Sequence, residues 1–497
     1  MFFSSLERAT NLFDRMGQWK AHHRKIAILG GLALVVALAG TFPALANAGP
    51  YKVKQLQAIS GPSPFAAGCP GALFDDTNIT GYELESMIAV NPANPRNIIA
   101  TWKQDAGFLS TRSDLTASSL DGGKTWKRST IPGLTVCTGG TGDIGTDPWV
   151  SAGGDGTAYF SGLVGDLSSD PAPVTVVASN SKDGGRTWPV PATVAPALPN
   201  NDQDAITGSP TLAGHAYVVW SNFDHQFNFP ATNFIRFSRT TDGGIGWSPP
   251  VVVDQPGPFA WDMAPRLLVL PDGTLLAIFV RIDLELGLGA HYAARSLDEG
   301  QTWLPAVEVG SLPLLEFFDP QTGDEFPQAH YPSAAVAPDG TAYIAFEANS
   351  SASSGGIGVA RSRDGGITWS TSMLPGVSAY AFEPAIAVDS HGTVGITWYD
   401  LRNARPGDAA LTAADVWFAH SDNQGGSWQQ THVAGSTNLA TVHLPNRVGE
   451  YQGLAALRGR GFAAIFTLAA PQAENGPTDI FFAQIGPGND ESGNDGH

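Results

Sequence analysis

Short apolar segments alternate with turn residues along most of the chain. Runs of five or six mainly apolar residues follow Gly- or Pro-containing turns at 98–102, 216–220, 275–280, 342–346 and 393–398. The runs show no helical period, and their length is that of a strand. The pattern therefore predicts an all-β protein.

An octapeptide that ends in Trp recurs six times among these runs. The first copy reads Ser-Leu-Asp-Gly-Gly-Lys-Thr-Trp at 119–126, and the third position falls in successive copies at Asp121, Asp183, Asp242, Asp298, Asp364 and Asn423. These positions are 62, 59, 56, 66 and 59 residues apart. An Asp-Gly pair suits a tight hairpin, and the Trp can anchor that hairpin to a sheet. The six positions are therefore predicted to be structural.

Each period contains segments for four strands, which predicts a β-propeller built from four-stranded antiparallel blades. After the sixth octapeptide, only three further strand segments follow, at 449–457, 462–467 and 478–485. The segment 51–59 could supply the fourth strand, so that the N- and C-terminal strands pair and close the ring. This count favours seven blades, whereas six would result if the terminal segments fold differently.

The propeller is predicted to span 83–485, after an N-terminal segment at 49–82. A Gly-rich acidic tail at 486–497 is expected to be disordered. At the other end, basic residues precede an apolar run at 26–40, and small residues up to Ala48 follow it. This order predicts a signal peptide at 1–48, because the run of about 15 residues is shorter than the roughly 20 that span a bilayer. The protein is then secreted or periplasmic. The alternative is an uncleaved membrane anchor with the body facing outward.

The charge and the cysteine content of the chain limit the binding partners and the kinds of site that are expected. Lys and Arg number 27 against 46 Asp and Glu, a net charge of −19, which is unfavourable for binding nucleic acid. Cys69 and Cys137 both follow the predicted signal peptide, which favours a disulfide. No zinc or phosphate-loop spacing is present, so no cofactor and no metal site are expected, although clustered acids could hold Ca²⁺. The protein is expected to be a monomer.

Polar residues concentrate at one end of the predicted strands. If the octapeptide joins the third and fourth strands, the opposite face, here called the upper face, carries the starts of the first strands and the loops between the second and third. The starts of the first strands contain Glu83, Glu85, Asp147, Asp204, Asp262, Arg266, His330, Tyr331, Glu383, Glu450 and Tyr451. The loops contain Lys103, Gln104, Asp105, Asn222, Asp224, His225, Arg281, Asp283, Glu347, Tyr399, Asp400, Arg402 and Arg405. A ligand site is therefore expected on the upper face.

The octapeptide is the Asp-box, also called the BNR repeat, and over about 83–485 the chain resembles the sialidase superfamily of β-propellers. The segments 382–389 and 449–454 look like those of exported bacterial exo-α-sialidase-like proteins. The resemblance implies that the Asp-boxes lie away from the active face. It also implies three arginines for a substrate carboxylate, a Tyr nucleophile assisted by a Glu, and an Asp acid/base.

The residues available for these roles can be named. The catalytic candidates are Tyr399, Glu383, Asp147 and Asp105, and the substrate-binding candidates are Arg266, Arg281, Arg402, Tyr331 and Glu450. Tyr331 and Glu450 are also alternatives for the nucleophile and its base. The Phe/Tyr-Arg-Ile-Pro motif of sialidases is absent, and Glu83-Leu84-Glu85-Ser86 stands in its place.

The predicted function is that of an exported sialidase-like glycoside hydrolase that acts on glycans at the upper face. One alternative is a glycosidase for a neutral or cationic sugar that uses Asp147 and Glu383. The other is a non-catalytic propeller that binds glycan or protein, with Trp149, Trp261, Tyr331 and Tyr399 as aromatic platforms.

Overall fold

A computed structural model describes residues 50–66, 69, 80–107, 111–166, 173–199, 201–224, 232–286, 288–310, 331–348, 356–378, 380–403, 413–442 and 448–488. The chain divides into two units, residues 1–46 and 47–497, and all described residues belong to the second. The predicted signal peptide, and the predicted tail beyond residue 488, lie outside the described residues. Within the described ranges, no helix is long and apolar enough to cross a membrane.

The described residues form 28 strands and two short 3-10 helices, Val136–Thr138 and Leu439–Thr441. The strands are β1 (Tyr51–Ala58), β2 (Glu83–Val90), β3 (Ile98–Ala106), β4 (Thr111–Ser119), β5 (Lys127–Thr130), β6 (Ile144–Ala152), β7 (Ala158–Gly165), β8 (Pro173–Ser181), β9 (Ala192–Pro199), β10 (Asn201–Gly208), β11 (Ala216–Asp224), β12 (Thr232–Thr240), β13 (Val251–Asp254), β14 (Ala260–Val269), β15 (Leu275–Asp283), β16 (Leu288–Ser296), β17 (Val307–Gly310), β18 (Ser333–Val336), β19 (Ala342–Glu347), β20 (Ile357–Ser362), β21 (Ser370–Met373), β22 (Ala381–Val388), β23 (Val394–Asp400), β24 (Ala413–Ser421), β25 (Gln429–Asn438), β26 (Gly453–Ala456), β27 (Phe462–Ala469) and β28 (Thr478–Pro487).

Five four-stranded antiparallel sheets are blades of a β-propeller. Four of them contain consecutive strands, namely β2 to β5, β6 to β9, β18 to β21 and β22 to β25. The fifth contains β26, β27 and β28 together with β1, which pairs antiparallel with β28 from Tyr51 opposite Pro487 to Ala58 opposite Phe481. The blade that holds the last strands of the chain therefore includes a strand from its beginning.

The remaining strands, β10 to β17, form a single eight-stranded sheet. The start of β14 lies beside the start of β12, and Asn233 and Trp261 form a parallel bridge between these strands. The count of seven or six separate blades predicted from the sequence is therefore wrong, because the structure has five four-stranded blades and one eight-stranded sheet. The repeat period records where turns recur, but it carries no information on backbone pairing between successive units.

Large aromatic side chains on second strands fill the core between sheets. Trp102, Trp220 and Trp398 are fully buried on β3, β11 and β23. Each indole N–H has a polar partner near the end of its own sheet, for example Asp400, whose Oδ2 accepts from Trp398 at 3.0 Å. Burial of a Trp is favourable when its single donor is satisfied, so these residues can anchor the sheets without an energetic penalty.

The octapeptides form turns with one shared hydrogen-bond network. In the first copy, the Oδ1 atom of Asp121 accepts from the backbone N–H groups of Lys124 and Thr125, both at 3.0 Å. The Thr125 hydroxyl donates to Oδ2 of Asp121 at 2.6 Å. Gly123 has a φ of 91°, and a Cβ atom there would lie 2.5 Å from the ring of Phe482 in the neighbouring sheet. The glycine therefore allows both the turn and its close contact with the next sheet.

Candidate functional site

Five first strands, namely β2, β6, β10, β14 and β22, share a strained bulge near their beginning. Glu85, Asp147, Gln203, Ala264 and Glu383 have φ values of 55°, 55°, 58°, 53° and 49°, in the left-handed region that side chains seldom adopt. The strand register shifts at each of these positions, as between Thr146 and Trp149. A bulge redirects side chains, and strain of this kind costs about 1 kcal/mol or more per residue, which favours a functional explanation.

A cavity of about 150 Å³ lies among these first strands, and every one of the sheets contributes to it. Part of its lining is apolar and includes Ala205, Leu267, Ile386 and Leu454. The other part, here called the polar end, is lined by seven residues that are mainly polar or aromatic. These residues are Trp149, Arg266, Tyr331, Glu383, Glu450, Tyr451 and Gln452.

Tyr331 lies at the centre of a hydrogen-bonded triad. Its hydroxyl donates to Oε2 of Glu450 at 2.7 Å, and the side-chain amide of Gln203 donates to the same phenolic oxygen at 2.7 Å. Burial, followed by the charge of Glu450, raises the pKa of Tyr331 well above its usual value near 10. Burial also raises the pKa of Glu450 above its usual 4.5. The tyrosine therefore stays protonated, and its partner is a stronger base than an exposed glutamate.

Lys103 forms a second cluster beside this triad. Its ammonium nitrogen lies 2.5 Å from Oε2 of Glu85 and 3.1 Å from Oδ1 of Asp147. Burial raises the pKa of Glu85 to about 8. Burial also disfavours the charged form of Asp147, but the Lys103 ammonium and hydrogen bonds from Thr146 and Gln203 outweigh it, so the pKa of Asp147 is lowered. Asp147 is therefore ionised at neutral pH.

Glu383 supplies a buried carboxyl group with a raised pKa to the cavity. Its backbone N–H donates to Oε1 of Glu347 at 2.8 Å, and its carbonyl accepts from Gln452 at 2.6 Å, so the residue is held at both ends. Within the described ranges, its Oε2 atom has no hydrogen-bond partner. Burial, followed by repulsion from Glu347, Glu85 and Glu450, raises the pKa of Glu383 well above 4.5. This side chain can therefore act as a proton donor near neutral pH.

Arg266 places a cation against three aromatic rings at the polar end. Its guanidinium carbon lies 4.2 Å from the ring centre of Trp149, 5.4 Å from that of Tyr331 and 5.7 Å from that of Tyr451. Burial lowers the pKa of Arg266, but an arginine remains protonated at neutral pH. The cation can bind an anionic or oxygen-rich group of a ligand in the cavity.

The two other predicted arginines do not line the cavity. Arg281 holds Asp262 through two hydrogen bonds of 2.7 and 2.8 Å and also contacts Asp254. Arg402 binds Asp400 and stacks on Trp417, with its guanidinium carbon 4.0 Å from the ring centre. The structure therefore brings one arginine to the cavity, whereas the resemblance implied three.

Two predicted catalytic residues also lie elsewhere. The Tyr399 hydroxyl donates to the Thr467 carbonyl at 2.8 Å and accepts from the Thr467 N–H at 2.9 Å, which joins two blades. Asp105 accepts from the Gly81 N–H, from Ser63 and from Arg112 at 2.8, 2.6 and 2.8 Å. It thereby fastens the N-terminal segment to β3. Neither side chain lines the cavity.

The disulfide, three further upper-face candidates and possible metal ligands are the remaining features predicted from the sequence. Cys69 and Cys137 are joined by a disulfide. His225, His330 and Arg405 lie outside the described residues. In the part of the chain that the structure describes, no group of three or more His, Cys, Asp or Glu side chains is arranged to hold a metal ion.

Gln203 was missed by the sequence analysis, although a sequence signal for it exists. Three of the bulge residues, and also Tyr331, directly precede proline, in Asp147-Pro148, Ala264-Pro265, Glu383-Pro384 and Tyr331-Pro332. Gln203 occupies the corresponding position of β10 but precedes Asp204. Alignment of the repeats on these X-Pro pairs would have placed Gln203 beside the other polar residues. Lys103, Glu85 and Tyr451 were recognised as upper-face residues but received no role.

The fold and the cavity together define a β-propeller with an acid-rich central site. No protein-family model and no curated protein sequence matches the chain. A Dyadobacter fermentans protein of unknown function is similar in structure, with 14% identity, coverage of 88% of this chain and 99% of that chain, and a TM-score of 0.48.

Two glycoside hydrolases are also among the similar solved structures. The α-L-arabinanase of Penicillium chrysogenum has 14% identity, covers 68% of this chain and 92% of that chain, and gives a TM-score of 0.43. The NanB sialidase of Streptococcus pneumoniae has 14% identity, with 85% and 71% covered and a TM-score of 0.44. At these scores the likeness is too distant to assign a function, which therefore rests on the cavity itself.

Proposed function

We propose that the protein is a glycoside hydrolase of the sialidase-like type, with Tyr331 as its nucleophile and an anionic sugar as its substrate. The observation that carries this proposal is the hydrogen bond of 2.7 Å between the Tyr331 hydroxyl and Glu450 at the polar end of the cavity. A nucleophile and its base need a separation of about 2.6–3.2 Å, and a third group that orients them. Gln203 supplies that third contact.

In the first step, the Tyr331 oxygen forms a bond to the anomeric carbon as its proton passes to Glu450. The bond between the anomeric carbon and the leaving oxygen breaks, and Glu383 gives its proton to that oxygen. The raised pKa of Glu383 keeps this proton available near neutral pH. A covalent glycosyl–tyrosine intermediate results.

In the second step, the ionised Glu383 removes a proton from a water molecule, whose oxygen bonds to the anomeric carbon. The bond between the sugar and Tyr331 breaks, and Tyr331 recovers its proton from Glu450. Because the anomeric carbon is substituted twice, the product keeps the configuration of the substrate.

The charge distribution at the polar end supports an anionic sugar. A neutral phenol does not repel such a sugar, as a carboxylate nucleophile would. Burial raises the pKa of Glu383, which reduces the negative charge of the cavity. Arg266 then supplies the cation for the anionic group of the sugar.

A second function is favoured by one observation. Trp149, Tyr331 and Tyr451 surround Arg266 with aromatic rings, and aromatic faces also bind sugars without turnover. A glycan-binding propeller without catalytic activity would use the same cavity.

The test is hydrolysis of fluorogenic glycosides that include a sialoside and neutral pyranosides and furanosides. We expect turnover of an anionic glycoside, and we expect Tyr331→Phe to lower kcat at least about 1,000-fold, because the nucleophilic oxygen is lost. Tyr159→Phe is the matched control, since Tyr159 is buried on β7 and lies outside the cavity lining.

The outcomes separate the two functions. Undiminished turnover by Tyr331→Phe would contradict the assigned nucleophile. An absence of turnover on every glycoside, together with retained binding on a glycan array, would identify the binding propeller instead.

A further inference from the structure

Gln203 contacts the phenolic oxygen of Tyr331, and the arrangement around it fixes which atom faces that oxygen. The Oε1 atom of Gln203 accepts from the Ser221 hydroxyl at 2.9 Å and from the Ala264 N–H at 2.8 Å. Because two donors occupy the oxygen end of the amide, its nitrogen must face Tyr331, at 2.7 Å. The Tyr331 oxygen therefore receives a hydrogen bond from a donor of fixed orientation.

The backbone of Gln203 is held from the opposite side. Its N–H donates to Oδ2 of Asp147 at 3.0 Å, and Oδ1 of Asp147 contacts the Lys103 ammonium. A polar chain thus runs from Glu85 through Lys103, Asp147 and Gln203 to Tyr331 and Glu450. Gln203 adopts its left-handed conformation, with a φ of 58°, within this chain. Contacts at both ends of the residue maintain a strained geometry that a free loop would relax.

The hydrogen bonds to Glu450 and Gln203 leave one lone pair of the Tyr331 oxygen for a substrate. The O–H bond points to Glu450, and one lone pair accepts from Gln203. The remaining lone pair is available for a substrate carbon. As the proton moves to Glu450, negative charge develops on this oxygen, and a preoriented N–H donor stabilises such charge without reorganisation.

We propose that Gln203 is a catalytic residue whose amide N–H stabilises the charge that develops on the Tyr331 oxygen when the sugar bond forms and when it breaks. This inference rests on the proposed function, because it requires Tyr331 to be the nucleophile. A neutral amide suits the role because it donates a hydrogen bond but cannot take the proton that Glu450 must receive.

The first test is Gln203→Met, which keeps the length of the side chain and removes the donor. We expect kcat to fall about 100-fold, the effect typical of losing one such donor, with KM changed less than about threefold. Gln104→Met is the matched control. Gln104 is also buried and hydrogen-bonded, to Trp102 and Asp105, but it does not line the cavity, so its loss should leave kcat unchanged.

The second test is Gln203→Glu, which also decides the question if the methionine variant does not fold. The new carboxyl can still accept from Ser221 and Ala264, but it can donate to Tyr331 only while it is protonated. We therefore expect activity at acidic pH and a progressive loss as pH rises through the pKa of the new carboxyl. The charged and titratable groups around this position are Glu85, Lys103, Asp147, Asp202, Arg266, Tyr331 and Glu450. These groups are present in both the wild type and the Gln203→Glu variant. The pH profile of the variant's activity is therefore compared with that of the wild type.

The results distinguish this inference from the proposed function. If Tyr331→Phe is inactive while Gln203→Met and Gln203→Glu keep the wild-type kcat and pH profile, Gln203 has no catalytic role and the nucleophile stands. If Tyr331→Phe remains active, the proposed function itself is wrong.

Discussion

Glu347 and Asp147 show that the interior of this protein shifts the pKa values of two buried carboxyl groups in opposite directions. Glu347 is buried, its Oε1 atom accepts from the Glu383 N–H, and burial raises its pKa to about 8. Asp147 is also buried, but Lys103 and two further hydrogen bonds lower its pKa. A site that needs one neutral and one ionised carboxyl obtains both when neighbouring environments differ in this way.

Glu347→Gln should change how stability depends on pH. The pKa of Glu347 is higher in the folded protein than in the unfolded chain, so its contribution to stability is full below about pH 4.5 and is lost as pH rises through about 8. The glutamine variant keeps the acceptor for the Glu383 N–H and has no proton to lose. Between pH 5 and 8, we expect wild type to lose roughly 3 kcal/mol of unfolding free energy relative to this variant.

Denaturant unfolding of both proteins across that pH range measures the difference. Glu308→Gln, at an exposed position of β17, is the matched control and should follow wild type at every pH. Parallel pH profiles for wild type and Glu347→Gln would show that Glu347 is already ionised in the folded protein.

Four of the residues that the sequence identified line the cavity because position along a first strand determines the environment of a side chain. Arg266, Tyr331, Glu383 and Glu450 were identified at the starts of first strands, and all four line the cavity. In contrast, Asp105, Arg281 and Tyr399 lie on second strands, whose side chains meet the neighbouring strands and sheets. Residue type and strand position alone could not show whether a polar side chain would meet the cavity or another blade.

Among the elements of the fold, the octapeptide combines a hydrogen-bonded turn with an aromatic contact to a more distant strand. The ring of Trp126 lies 5.2 Å from Phe482, and the ring of Trp303 lies 5.4 Å from Phe237. The first pair joins the turn to β28 of another sheet, and the second joins the turn at 296–303 to β12 of the same eight-stranded sheet. The sixth copy replaces the carboxylate with Asn423, whose amide nitrogen donates to the Ser427 hydroxyl at 2.9 Å. An amide therefore preserves the turn.

The turn at Asp364 offers a direct test of this network. Asp364→Ala removes acceptors for the Ile367 and Thr368 N–H groups and for the Thr368 hydroxyl, so we expect a loss of about 1 kcal/mol in unfolding free energy. Asp364→Asn should lose less, since its amide can donate to Thr368 as Asn423 does to Ser427. Thermal unfolding of the three proteins ranks them, and an alanine variant as stable as wild type would refute the structural role of this side chain.

At the scale of the whole molecule, the candidate site exists only when distant sheets are assembled. Tyr331 and Glu450 are 119 residues apart in the chain, and Gln203 and Tyr331 are 128 apart. The periodic octapeptide predicted the class of fold, because equally spaced hairpins require equivalent sheets. It could not predict the eight-stranded sheet, because one bridge between Asn233 and Trp261 joins strands that the repeat treats as separate.

Peptide mapping after covalent trapping tests whether Tyr331 forms a bond to the sugar. The reagent is a glycosyl fluoride of the sugar that the protein turns over, with a second fluorine on the neighbouring carbon to slow hydrolysis of the intermediate. We expect mass spectrometry to locate the added sugar on the peptide that contains Tyr331, and to find no adduct on Tyr331→Phe. An adduct on Asp147, Glu383 or Glu450 instead would show that a carboxylate is the nucleophile and would contradict the account.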